Sequence, residues 1–359
     1  MDAPQSLHIR GRSCADGEPL ELWTLDGVLT DEPQPGAVTV ATDGWLMSGL
    51  VDAHNHVGIA PGLGVTIDQA RGFAQADAKA GALLIREVGS PVDTHPLDGD
   101  DSCPEFIRSG HHIARPKRYL RGYGVELDDP ADLPAEVRRQ ARSGDGWVKL
   151  VGDWIDREVG DLAPLWDDDL LVRAVAAAHE EGARITAHVF GTDALHGLVA
   201  AGVDCVEHGT GLTDDLIAAM ADRSIALVPT LIQVDNFPAI ADGADRFPVY
   251  QAHMRSLYAN AAGVFTAAFE AGVPMYAGTD AGGFVEHGRI VDEVIAMSDL
   301  GLGSERALAA ATDLPRQWLG AGTAQAGEPA DLLVFADDPR TDLGVLRDPV
   351  AVIRAGRLL

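Results

Sequence analysis

Through the middle of the chain, short apolar runs alternate with segments of helical periodicity. Arg184-Ile185-Thr186-Ala187-His188-Val189 reads as a strand, and Thr192 to Ala201 as a helix capped by Thr192. Cys205-Val206-Glu207 then reads as a strand, followed by a helix opened by Thr213 and a strand over Ile225–Thr230. Upstream, Leu170, Val172, Val175 and Ala178 fall at helical spacing, with Gly182 placed to end that helix. Such alternation predicts βα units and a parallel sheet. Candidate barrel strands lie at Leu50–Ala53, Ala82–Val88, Arg118–Tyr123, Val148–Val151, Ile185–Val189, Cys205–Glu207, Ile225–Thr230 and Met275–Ala277. Eight units in about 280 residues match an α/β fold of the (β/α)8 TIM-barrel type. A doubly wound open sheet is the alternative, but no GxGxxG turn follows the first strand.

The two ends have a different texture. Leu20–Leu25 and Ala37–Val40 near the start, and Leu332–Phe335 and Val350–Ile353 near the end, read as short strands between Gly, Pro and Asp. Residues 1–48 and 330–359 are therefore expected to build one small composite β-sandwich, with the barrel spanning residues 49–329.

Composition narrows the partners. Among 359 residues, 55 Asp and Glu against 27 Lys and Arg give a formal charge of −28. Binding to a phosphate backbone or an anionic membrane needs clustered positive charge, so neither nucleic acid nor membrane is an expected partner. No apolar run is long enough to span a bilayer, and no secretory leader is readable at the N-terminus. Cys14, Cys103 and Cys205 are scattered and form no CxxC pair, which fits a reduced, cytoplasmic setting. A small-molecule substrate is the expected partner, and a homo-oligomer is allowed. Only three of the basic residues are lysines, and one of them, Lys149, lies inside the apolar strand Trp147-Val148-Lys149-Leu150-Val151.

The candidate chemistry gathers at predicted strand ends. In Asp52-Ala53-His54-Asn55-His56 the two histidines are two apart and project the same way from a strand. Parallel neutral imidazoles suit zinc and related divalent ions, although a turn with two solvated histidines is the plainer alternative. Burial of Lys149 lowers its pKa, and a free amine can add CO2 to give a carbamate whose two oxygens bridge two metals. Alternatively, Lys149 snorkels and pairs with Asp153. His188 and His208 sit where consecutive strands pass into loops, and Asp280 ends the eighth strand, where it could equally cap a helix. In a barrel, the C-terminal ends of strands one, four, five, six and eight converge on one rim. Six independent accidents at one rim are improbable, which favours a metal site.

These motifs resemble the amidohydrolase superfamily over nearly the whole chain: Gly49 to His56, Lys149, Ala187-His188, Glu207-His208-Gly209 and Gly278-Thr279-Asp280-Ala281-Gly282. The run from Cys205 to Thr230 is similar to the imidazolonepropionase-related branch, which includes prolidase-like metal-dependent dipeptidases. Gly327 to Val334 resembles the return of such chains into their sandwich. The resemblance implies a binuclear centre in which His54, His56 and Asp280 hold one metal and His188 and His208 the other. Carboxylated Lys149 bridges them, and zinc is the expected ion.

Two such ions bring the pKa of a bridging water toward neutrality, so the expected activity is hydrolysis of an amide, peptide or related C–N bond. Asp280 acts as general base and then general acid, and is the expected catalytic residue. Lactone or cyclic-amide hydrolysis on the same site, or a non-catalytic scaffold relative, are the alternatives. Substrate choice is expected from loops. The segment Gly89–Ile113 ends in His111 and His112. The resemblance gives a histidine near this point a substrate carboxylate to hold, while solvated loop histidines are the plainer alternative. The segment Gln233–His253 is long enough for a lid and offers Phe237 and Tyr250. Phe190 stands where dipeptidase relatives commonly place tyrosine or histidine, and phenylalanine cannot donate that hydrogen bond. His95, His179, His196, His253 and His287 have no ligand-like position, although His287 is open to an outer supporting role.

Overall fold

In the computed structural model, residues 5–61 and 63–359 are described. Parallel strands close into a barrel. Ala82–Glu87 pairs with Leu50–Asn55 on one side and Glu105–Arg108 on the other. The series His112–Ala114, Trp147–Val151, Arg184–Val189, Cys205–His208 and Ala226–Val228 runs on in parallel register. Residues 274–281 complete the ring without forming a regular strand. Pro274 O accepts from Leu227 N at 2.8 Å, Ala277 O accepts from Ala53 N at 2.9 Å, and Asp280 N donates to His54 O at 2.8 Å.

The third strand differs from the sequence expectation. It comprises Glu105–Arg108 and His112–Ala114, broken between them, and not Arg118–Tyr123. Arg118–Tyr123 is rich in β-favouring aromatics, but its arginine is used elsewhere. Arg118 donates to Asp156 Oδ2 at 2.9 Å and to Ala163 O at 2.8 Å, binding the hairpin of Asp153–Asp156 and Asp161–Pro164.

Helices cover the barrel where periodicity placed them, including Asp168–Glu180, Thr192–Ala201 and Asp214–Arg223. The N-cap of the second is Gly191, because Thr192 Oγ1 instead donates to Gly211 O at 2.7 Å. The expected lid, Gln233–His253, is mostly helical: Leu231–Val234, Phe237–Asp242 and the start of Pro248–Glu270.

Strands from both termini share one mixed sheet. Trp45–Ser48 lies between Leu7–Ser13 and Leu332–Phe335, parallel to the first and antiparallel to the second. This sheet has its own apolar core, with Ile9, Leu22, Leu29, Leu46, Leu332, Val334 and Ile353 buried together. Inside the barrel, Arg86 is fully buried with its guanidinium 4.6 Å from the Trp147 ring and 4.8 Å from the Trp318 ring. The charge is thus covered by aromatic faces that attract cations. No helix among the described residues is long and apolar enough to cross a membrane.

Candidate metal centre

Strand register brings the expected residues together. Lys149 pairs with His112 on one side and Thr186 on the other, and His188 pairs with Glu207. Residues at matching register share a face, so Lys149, Thr186, His188 and Glu207 all turn into the barrel. His208 follows Glu207 directly and would point outward from a regular strand. Its backbone is left-handed instead, with φ +65°, and this turns the ring back over the barrel. Thr230 (φ +50°), just beyond the neighbouring strand, and Asp280 (φ +57°), in the irregular eighth segment, are also left-handed. Such conformations cost a non-glycine residue roughly 1–3 kcal/mol each and concentrate at functional sites.

The resulting geometry is tight. His54 Nε2 lies 3.2 Å from His56 Nε2, and Asp280 Oδ1 is 3.1 Å from the first and 3.2 Å from the second. His188 Nδ1 and His208 Nε2 are 3.0 Å apart. His54, His208 and Asp280 each offer one ligand atom within 4.8 Å of the others, a group able to hold a metal ion. The other ring nitrogens are held from outside. His54 Nδ1 meets Glu207 Oε2 at 2.8 Å, His56 Nδ1 meets Gly89 O at 2.8 Å, and His208 Nδ1 meets Thr230 Oγ1 at 2.7 Å. Carbonyl and carboxylate oxygens only accept, so His54 and His56 donate from Nδ1 and keep the Nε2 lone pairs for the centre. Asp280 caps no helix here; the following helix begins at Ile290.

Lys149 does not pair with Asp153. Asp153 accepts from Phe190 N at 3.0 Å and Gly191 N at 2.6 Å, whereas Lys149 Nζ is buried with no hydrogen-bond partner among the described residues. Burial lowers its pKa to about 8, against the opposing pull of Glu207 and Asp280. Burial likewise lowers His56 and His188, and takes His208 down to about 3, so these rings are neutral. For Asp280, burial favours the acid form, but the close approach of His54, with His56 and His208 beside it, holds its carboxyl well below the usual range.

Glu207 was not singled out by the sequence. It is fully buried and accepts from His54 Nδ1, Arg86 Nη2 at 2.6 Å and Thr186 Oγ1. Burial opposes its charge, yet Arg86, Lys149 and His54 keep it ionised far below the ordinary range. Arg86 and Glu207 are charged residues within predicted apolar strands, the same signal that exposed Lys149. Thr230 carried no comparable signal.

The candidate substrate contacts divide. His112 is fully buried on the third strand, not on a solvated loop, with its ring centroid 5.3 Å from that of His56. Both its ring nitrogens are buried without a hydrogen-bond partner among the described residues. Gly89 lies against that ring at φ +107°, where an added Cβ would come within 2.6 Å of His112 Nδ1. His111 turns away and lines a separate cavity of about 180 Å³ with Glu87 and Arg108. Phe190 meets His188 edge-on at 4.5 Å and packs against Phe237 at 4.7 Å. Tyr250 lies a layer out, where burial and the charges of Asp153 and Asp161 push its phenol up to about 12. Tyr119 and Trp154, not anticipated, both approach His188. His287 belongs to an outer chain: its Nδ1 meets Asp77 Oδ2 at 2.8 Å, and Asp77 accepts from Asn55 at 3.1 Å.

A closed barrel with imidazoles and a carboxylate converging at its C-terminal rim defines a class of hydrolase. Residues 45–359 match the model of the amidohydrolase family, and the chain belongs to that family. It is 55% identical over 351 residues to an uncharacterized protein of Mycobacterium tuberculosis (strain ATCC 25618 / H37Rv), covering 98% of this chain and 95% of that protein. Among solved structures it is similar to a Xaa-Pro dipeptidase with bound methionine in its active site (TM-score 0.83, 21% identity, 99% of both chains). It is also similar to a putative prolidase from Bifidobacterium longum (TM-score 0.82, 22% identity, 99% of this chain and 94% of that one).

Proposed function

We propose that the chain is a binuclear metal-dependent hydrolase cleaving an amide, peptide or related C–N bond of a small molecule. The observation that carries this reading is Lys149 Nζ, buried without a hydrogen-bond partner among the described residues, on the barrel face it shares with Thr186, His188 and Glu207. A lone ammonium is costly there, whereas a carbamate bearing two metal-binding oxygens suits the position. Forming it joins Nζ to the carbon of CO2 and releases one proton to solvent.

The donor set fits two divalent ions. His54, His56 and Asp280 would hold one, and His188 and His208 the other, with the Lys149 carbamate between them. His188 Nδ1 and His208 Nε2 face one another at 3.0 Å, as expected of two nitrogens that would share an ion. Nitrogen and oxygen donors of this kind suit zinc. When bound, the ions would polarise the scissile carbonyl and acidify water toward neutral pH.

The chain's own residues do the rest. Glu207, Gly89 and Thr230 orient the imidazoles from outside. Asp280, its side chain 18% exposed at the rim, takes a proton from the attacking water at a carboxylate oxygen. It then delivers that proton to the leaving nitrogen as the C–N bond breaks, and the acyl carbon keeps the water's oxygen.

The test is metal analysis of purified wild type beside Lys149→Ala and Lys149→Arg, neither of which can form the carbamate bridge. About two equivalents in wild type, lost in both variants, are expected, and bicarbonate during reconstitution should raise wild-type occupancy and amide hydrolysis. Wild type free of divalent metal after growth in supplemented medium would overturn the reading.

A further inference from the structure

We propose that the substrate presents a neutral aryl group to a wall formed by Phe190, Trp154 and Tyr119; this rests on the hydrolase reading above. The three rings surround His188, with centroids 4.5, 5.4 and 5.7 Å from its own. Phe190 also lies 5.0 Å from His208, so hydrocarbon covers the side of the site that His188 and His208 occupy. Tyr119 and Trp154 meet edge-on at 4.9 Å and are only half-buried, which leaves aromatic surface for a ligand.

The wall is rigid. Asp153 holds the Phe190 N–H, Thr210 Oγ1 donates to Phe190 O at 3.0 Å, and fully buried Phe237 backs the ring. The Phe190 ring is itself buried and packs between His188 and Phe237, a setting unsuited to a hydrated group. The Phe190 ring offers no conventional hydrogen bond, so a carboxylate seated against it loses its water without compensation from that ring. Arg118 turns its Nη groups to Asp156 and to the hairpin carbonyls of Trp154 and Ala163. Edge-to-face and offset stacking instead favour a flat aryl group. Arg115, half-buried at the end of the third strand, is the cation that a carboxylate-bearing substrate would use, and the experiment is built to expose it.

The probes are para-nitroacetanilide and its ring-carboxylated analogue, which differ by one carboxylate. Metal-loaded wild type is expected to favour the neutral probe in kcat/KM by about tenfold or more. Phe190→Tyr, which adds only a hydroxyl, should narrow that ratio. Phe190→Leu should raise KM for the neutral probe more than it lowers kcat. Equilibrium dialysis of the two product anilines supplies a readout independent of turnover. Wild type should retain para-nitroaniline over its carboxylated counterpart, with the difference reduced in Phe190→Leu and Trp154→Ala proteins of unchanged circular dichroism. Equal or tighter retention of the carboxylated aniline, especially if lost in Arg115→Ala, overturns the proposal. Failure of loaded enzyme to cleave either anilide counts against the hydrolase reading, and dialysis then decides the aryl site by itself.

Discussion

Thr230 Oγ1 lies 2.7 Å from His208 Nδ1, and both residues hold left-handed backbone at the ends of adjacent strands. Each strained residue thus supports the other: one turn brings the imidazole over the barrel and the next brings the hydroxyl that fixes it. Removing the hydroxyl while keeping the β-branched shape, as in Thr230→Val, should weaken metal binding by roughly 10–100-fold. Thr230→Ser should stay near wild type. Chelator competition with the purified proteins measures this, and equal affinities in both variants would remove the hydroxyl from the site's support.

Glu207 joins His54 to Arg86 in the barrel interior, with both members of the Arg86–Glu207 ion pair fully buried. Taking the charge from one partner leaves the other uncompensated in a low-dielectric setting. Glu207→Gln should therefore lose about 3–5 kcal/mol of stability in denaturant unfolding. Arg86→Met with Glu207→Gln should recover part of that loss, because the orphaned guanidinium is gone. Additive losses in the double variant would mean that the pair is not a coupled unit.

Much of this site was legible because strand geometry is periodic. His54 and His56 are two apart, and a lysine within an apolar strand invites a chemical explanation. The barrel and the strands of both chain ends followed from the same alternation of apolar runs. His208 was marked by its place at a strand end, although period-two alternation beside inward-facing Glu207 would turn it outward; its positive φ is what brings it to the centre. The third strand was misplaced because Glu105–Arg108 and His112–Ala114 are each too short to stand out, while Tyr119 and Tyr123 imitate a strand. That displacement put His112 on a loop, when it lies beside Lys149 in register.

A second clamp operates on strand seven from outside the barrel. The fully buried Glu293 carboxylate accepts from Leu231 N at 2.8 Å and Ile232 N at 3.0 Å, immediately after Thr230. Burial raises its pKa to about 8, with the two backbone bonds pulling down and Asp52 and Asp235 adding upward pressure. An acid whose folded pKa exceeds its unfolded value binds more protons when folded, so its contribution to stability falls as pH rises between those values. With an ordinary glutamate value near 4.5, the window runs to about 8. Metal-free Glu293→Gln should therefore gain stability relative to wild type as pH is raised from about 5 to about 8. Thermal unfolding of both proteins across that range measures it, and a constant difference in Tm would show that Glu293 does not titrate there.

Asp153 links the hairpin after strand four to the ring that covers His188. Its two oxygens accept separately, Oδ1 from Phe190 N and Oδ2 from Gly191 N. Asparagine has one carbonyl oxygen and turns an amine toward the other N–H, leaving a buried donor unpaired at a cost of about 1–3 kcal/mol. Asp153→Asn should accordingly lower Tm and loosen Phe190, so that the discrimination between para-nitroaniline and its carboxylated counterpart narrows in dialysis. The two readouts separate support from mere stability. A lower Tm with unchanged discrimination would confine Asp153 to holding the fold, while a narrowed ratio would make it a positioning residue acting through Phe190. The substitution also removes a group whose pKa burial raises to about 7 against its two backbone bonds. Any pH dependence of para-nitroaniline retention that comes from Asp153 should therefore be absent in the variant.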